Sequence, residues 1–139
     1  MSTIIAFDFG LQRTGVAVGN TIVGTATALE TLKSIHGKPN WPAIESIITQ
    51  WSPVKLVVGL PTQLDGSDSD VTPAVRKFCN QLNGRFGLPV EQANEQFTSI
   101  EASRRLKETR QAGRKRKVVK EEVDQLSAVI IFENWYQNQ

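Results

Sequence analysis

The sequence predicts an α/β domain built on a mixed five-stranded sheet, three antiparallel strands followed by parallel ones, with helices on both faces. Three observations lead there. The first 30 residues hold three β-type apolar runs separated only by short turns, which leaves no helix between them. From residue 40 onward, segments with apolar residues at helical spacing alternate with short strand-like runs, the pattern of parallel crossover units. Finally, VKLVVGLP is an almost unbroken apolar run ended by Gly59 and Pro61, as expected of a strand buried on both faces.

Taken in order, residues 3–9 and 14–19 read as a hairpin turning through Gly10, and residues 22–29 as a third antiparallel strand. NWPAIESIITQW is a helix, because Pro42 suits a first turn and Ile44, Ile47, Ile48 and Trp51 recur on one face. After the central strand, the polar loop TQLDGSDSD leads to Thr72 and Pro73, read as an N-cap with proline at the first helical position. Val75, Phe78, Cys79, Leu82 and Phe86 mark the helix that follows, which Gly87 and Pro89 close. LPVEQANEQ is a fifth strand. Thr98 and Glu101 form a capping box for a helix from 99 to about 107, and EEVDQLSAVIIFENWYQ is a last helix, apolar over a wide arc. The order is βββαβαβαα.

With 139 residues, 40% of them hydrophobic, the chain is expected to form a single domain over residues 1–139 with a real core. The N-terminus has no basic signal region and no apolar stretch reaches the roughly 20 residues that span a bilayer, so a cytoplasmic protein with no membrane partner is expected. Cys79 is the only cysteine, which rules out an intramolecular disulfide and a thiolate zinc cage; its apolar neighbours make it a buried core thiol. His36, the only histidine, lies among turn formers in SIHGKPN and reads as a solvated loop residue. Cysteine–histidine and serine–histidine–aspartate chemistries would both depend on it.

The net charge of +2 conceals a strong asymmetry. Residues 104–120, RRLKETRQAGRKRKVVK, hold nine of the 16 basic residues and one of the 14 acidic ones, which makes the segment +8 and the remainder −6. Such a segment favours a polyanionic partner, nucleic acid above all. Arg110, Arg114, Lys115, Arg116 and Lys117 are its candidate contacts, and Arg13, in the first hairpin, is a candidate for steering a phosphate. The cluster 114–117 has no aromatic residue for base stacking, so contacts are expected to be electrostatic and weakly sequence-specific.

Asp8 breaks an apolar strand, IIAFDF. A charge there is costly to desolvate unless a cation or several donors meet it. Glu95 follows the fifth strand at its C-terminal end, and Asp124 shares a helical face with Ala128 and Ile131. An acid in a first helical turn also complements the helix dipole, a role that Glu121 and Glu122 can fill equally well. Asp65, Gly66, Ser67 and Asp68 are read as turn chemistry.

The stretches AFDFGLQRTGVAVG, VVGLPTQLDGS, NEQFTSIEA and VDQLSAVIIFE, in that order along almost the whole chain, resemble the YqgF (RuvX) family of pre-16S rRNA nucleases, ribonuclease-H-like proteins related in fold to the Holliday-junction resolvase RuvC. The element order is also that of ribonuclease-H-like domains. The resemblance implies metal-dependent phosphodiester hydrolysis, with trimming of the 5′ end of precursor 16S rRNA in ribosome biogenesis and RNA as the partner. It implies Asp8, Glu95 and Asp124 as catalytic residues and ligands of Mg²⁺ or Mn²⁺. Three crowded carboxylates call for a hard cation with oxygen ligands, and two such ions about 4 Å apart can serve an in-line displacement.

The family pattern at the third motif is usually Asp-Glu-Arg, whereas this chain has Asn94, Glu95 and Gln96. The central acid is kept, but Asn94 binds Mg²⁺ more weakly than a carboxylate and Gln96 cannot clamp a phosphate as arginine does. Asn94 and Gln96 motivate one alternative, a nucleic-acid-binding factor with vestigial catalysis; another is a resolvase of branched DNA, which would need two active sites in a dimer. An actin-like phosphotransferase also carries an Asp-x-Gly hairpin, but binds ATP between two such domains. Monomer and homodimer both remain open.

Overall fold

In a computed structural model, residues 2–60, 71–94, 101–102, 104–106, 108 and 120–139 are described. β1 (Thr3–Phe9), β2 (Arg13–Asn20) and β3 (Thr25–Lys33) form an antiparallel meander. β4 (Lys55–Leu60) and β5 (Val90–Asn94) extend it in parallel on the other side of β1, giving the spatial order β3-β2-β1-β4-β5. The expected sheet is present. Its central strand is β1, whose run Ile4–Phe7 is buried on both faces, and VKLVVGLP supplies its parallel neighbour β4.

Alternation along β1 divides the core in two, since successive side chains in a strand point to opposite faces. Ile5 and Phe7, with Val16 and Leu32, meet α1 (Trp41–Trp51) and α2 (Thr72–Phe86) through Ile44, Ile47, Val75, Phe78 and Leu82. Ile4 and Ala6 face the other way, onto Ile131, Phe132 and Trp135 of α3 (Lys120–Gln137). Phe78 anchors the first core, with its ring 5.6 Å from that of Phe7, 4.7 Å from Phe9 and 5.7 Å from Trp41.

Two details depart from expectation. The third strand begins at Thr25 and runs to Lys33, because Asn20–Gly24 turns the chain: the Asn20 side chain accepts from the Ile22 N–H at 2.8 Å, and Gly24 has φ +81°. Thr72 is not the N-cap of α2. Val71 holds that position without a side-chain cap, and Thr72 is fully buried as the first helical residue, which makes Pro73 the second rather than the first residue of the helix. At the other end, Gly87 caps α2 in the left-handed region, φ 66°.

α1 starts at Asn40, whose side chain accepts from the Ala43 N–H at 3.3 Å. Cys79 is buried and His36 is exposed, both as read from the sequence. The described residues between 101 and 108 are helical; the capping residue Thr98 lies outside the described residues. Arg105 ties that stretch to α3 through Glu133 at 3.1 Å.

Candidate active site

Asp8 occupies the last turn of the β1 alternation on the side of Ile4 and Ala6, so strand periodicity aims it at the face that α3 covers. Directly across the hairpin its partner is Gly15. Gly15 has no side chain for a physical reason: a Cβ there would lie 1.9 Å from the backbone oxygen of Asp124. The same strand face continues with Ala17, packed on Ala128, and Gly19, where a Cβ would fall 2.4 Å from the Phe132 ring. Small residues at alternate positions of β2 thus form a track for α3, matched by Asp124, Ala128 and Phe132 at four-residue spacing along the helix. The track seats the start of α3 beside Asp8.

Arg13 is two residues before Gly15 and so shares its face. Its Nε donates to Asp124 Oδ2 at 2.7 Å, with side chains 26% and 20% exposed. The hydrogen bond and the charge of Asp124 hold the guanidinium above its ordinary range, with a smaller contribution from Glu121 and partial burial acting the other way. An arginine read as a candidate phosphate contact is, in this structure, also the partner of a candidate metal ligand.

Asp8, Phe9, Gly10, Leu11, Gln12, Arg13, Val71 and Asp124 line an open cleft of about 380 Å³. Two carboxylates from elements far apart in sequence, one on a strand and one on a helix, therefore face one space beside a cation. Their oxygens are hard donors of the kind that suits Mg²⁺ or Mn²⁺, and no histidine or thiol lines the cleft. Among the described residues no three histidine, cysteine, aspartate or glutamate side chains gather as a metal site. Glu95 lies outside the described residues, as do Arg110, Arg114, Lys115, Arg116 and Lys117. What is described is where the chain arrives before Glu95: Asn94 ends β5 paired with Leu60, one strand from β1 at the level of Phe9, about 10 Å away across two strand spacings.

Two parts of this site escape sequence reasoning. The Arg13–Asp124 bond joins residues 111 positions apart, for which local pattern carries no signal. The glycine track does carry one: small residues at 15, 17 and 19 alternate with Val16 and Val18, a strand with one face cleared for a close neighbour.

The profile of the RuvX family, described as Holliday junction resolvase, matches residues 2–138. The chain belongs to the RuvX family. RuvX relatives named "Putative pre-16S rRNA nuclease" cover it almost completely. That of Actinobacillus pleuropneumoniae serotype 5b (strain L20) is 45% identical over 137 residues, 99% of this chain and 98% of the relative. That of Histophilus somni (strain 2336) is 46% identical over 136 residues, 98% of this chain and 94% of the relative. The RuvX fold also matches RuvC of T. thermophilus in complex with a Holliday junction substrate, with TM-score 0.57, 13% identity, and 99% and 95% of the two chains covered. Fowlpox virus resolvase in complex with Holliday junction DNA matches with TM-score 0.57 and 15% identity over 98% and 97%. The fold is ribonuclease-H-like, and membership of RuvX makes the chain a nuclease, a hydrolase acting on ester bonds.

Proposed function

We propose that this RuvX protein is a divalent-metal-dependent nuclease, a single domain over residues 1–139 that acts in the cytoplasm on the 5′ end of precursor 16S rRNA. The observation that carries the proposal is the meeting of Asp8 and Asp124 at one cleft. The relatives' shared name supports the choice of RNA.

In this reading Asp8, Asp124 and Glu95 hold Mg²⁺ or Mn²⁺ through carboxylate oxygens. When bound, the cation supplies an activated water and neutralises the charge that develops on the phosphate and the leaving oxygen. Asp8 receives the cation at the end of a rigid central strand, which limits its motion to side-chain rotation. Asp124 approaches from α3, whose seat on Gly15 sets its distance from Asp8. Arg13 faces the same space and orients a phosphate oxygen. Arg110 and the Arg114–Lys117 cluster grip the nucleic-acid backbone by charge.

The test is a cleavage assay on precursor 16S rRNA and on a four-way DNA junction, with Mg²⁺ or Mn²⁺, for wild type and Asp8→Asn. Divalent-dependent cleavage of the RNA, lost in a folded Asp8→Asn protein, is expected; unchanged cleavage by that variant refutes the reading. The resolvase structures with junction DNA favour branched DNA as the second reading, and symmetric cuts in the junction with intact RNA would select it.

A further inference from the structure

Arg13 donates to Oδ2 of Asp124, and both residues line the cleft. We propose that its guanidinium is the resident counter-ion of that carboxylate: it holds Asp124 in place before a divalent cation arrives, is displaced when the cation binds, and is then free to take a phosphate of the substrate. The inference rests on the metal-dependent reading above and adds an order of events to it.

The geometry sets up the exchange. Nε donates to Oδ2 at 2.7 Å. A cation coordinated to that oxygen at roughly 2.1 Å would stand only about 4 Å from Nε, where two positive charges repel. Guanidinium and cation cannot share the oxygen without cost, so one replaces the other. Release is easy, because the pair is partly exposed, with side chains 26% and 20% accessible, and the bond engages one of the five N–H donors of the guanidinium. The released group does not travel far: Arg13 and Asp124 line the same cleft, and a phosphate there offers it a bidentate grip. Cation and nucleic acid then help each other to bind, as reciprocal linkage requires.

Lys33 provides an internal control. It pairs with Arg13 across the β2–β3 ladder and so carries the same charge on the same sheet face, but it is exposed and forms no part of the cleft lining.

The experiment is a calorimetric titration of the full chain with Mn²⁺, without nucleic acid, for wild type, Arg13→Gln, Arg13→Lys and Lys33→Gln. Arg13→Gln should bind Mn²⁺ about fivefold more tightly than wild type, whereas Arg13→Lys and Lys33→Gln should stay within about twofold. In parallel, Ca²⁺ should tighten binding of a fluorescent RNA strand to wild type more than to Arg13→Gln, measured by anisotropy. Equal or weaker Mn²⁺ binding by folded Arg13→Gln, with wild type binding normally, overturns the counter-ion role alone. An equal gain from Lys33→Gln also overturns it, since general charge would then account for the effect. Absence of Mn²⁺ binding in every variant overturns this inference and the metal-dependent reading together. Circular dichroism checks folding, and Arg13→Met substitutes for Arg13→Gln if the latter does not fold.

Discussion

The α-carbon of Gly15 on β2 lies under the backbone carbonyl of Asp124, so close that an added Cβ would stand 1.9 Å from that oxygen and 2.3 Å from its carbon. The obstacle is backbone and cannot rotate away. Gly15→Ala must therefore lift α3 from the sheet at the very residue that completes the carboxylate pair. The expected cost is about 2–3 kcal/mol of stability, by urea unfolding, together with a loss of cleavage larger than the stability change explains. Gly84→Ala, on α2 with nothing within 4 Å of the added methyl, is the matched control and should keep activity. Full activity in Gly15→Ala would show that the site tolerates a displaced α3.

Glu91 on β5 fastens the far edge of the sheet. It accepts from Lys55 Nζ on β4 and, at 2.9 Å, from Trp135 Nε1 on α3. The Lys55 bond first, and then the Trp135 bond, hold its carboxyl below the ordinary value of 4.5, with burial opposing them weakly. A carboxylate whose folded-state value is depressed stabilises the fold above the ordinary value, and that contribution fades as pH falls through the lower, folded one. Because the side chain is 41% exposed, solvent screening keeps the contribution below about 1 kcal/mol. Urea midpoints of wild type and Glu91→Gln should therefore differ near neutral pH and converge as the pH falls below the ordinary carboxylate range. A difference that stays constant with pH would mean that packing, not ionisation, accounts for the loss.

Cys79 sits in the α1/α2 core, and burial pushes its thiol up; the Gln92 amide, 3.8 Å from the sulfur, opposes this only in part. The thiolate is the reactive form, so the native protein should react slowly with a disulfide reagent near pH 8 and release one equivalent of thiol only when unfolded. Rapid stoichiometric labelling of the native chain would contradict the burial.

Much of this architecture is written locally. Asp8 stands out because a charge in IIAFDF violates its surroundings, and VKLVVGLP marks a doubly covered strand because it lacks alternation. Boundaries were less legible. Thr72 has the chemistry of an N-cap, yet it is buried as the first residue of α2, since tertiary burial outweighed the local capping preference. β-Propensity points to a third strand over 22–29, but pairing with β2 and the Asn20 turn set its ends at Thr25 and Lys33.

By itself the sequence determined the order of the strands and of the helices packed on them, and the faces of β1, which follow from period-two and period-3.6 patterns that act over a few residues. Only the tertiary structure decided that Asp124 and Asp8 line one cleft and that Arg13 bonds to Asp124 across 111 positions. That step depends on how closely α3 can approach β2, a matter of excluded volume at Gly15 and Gly19. Sequence periodicity fixes which way a side chain points; it carries no information about how near a distant backbone can come.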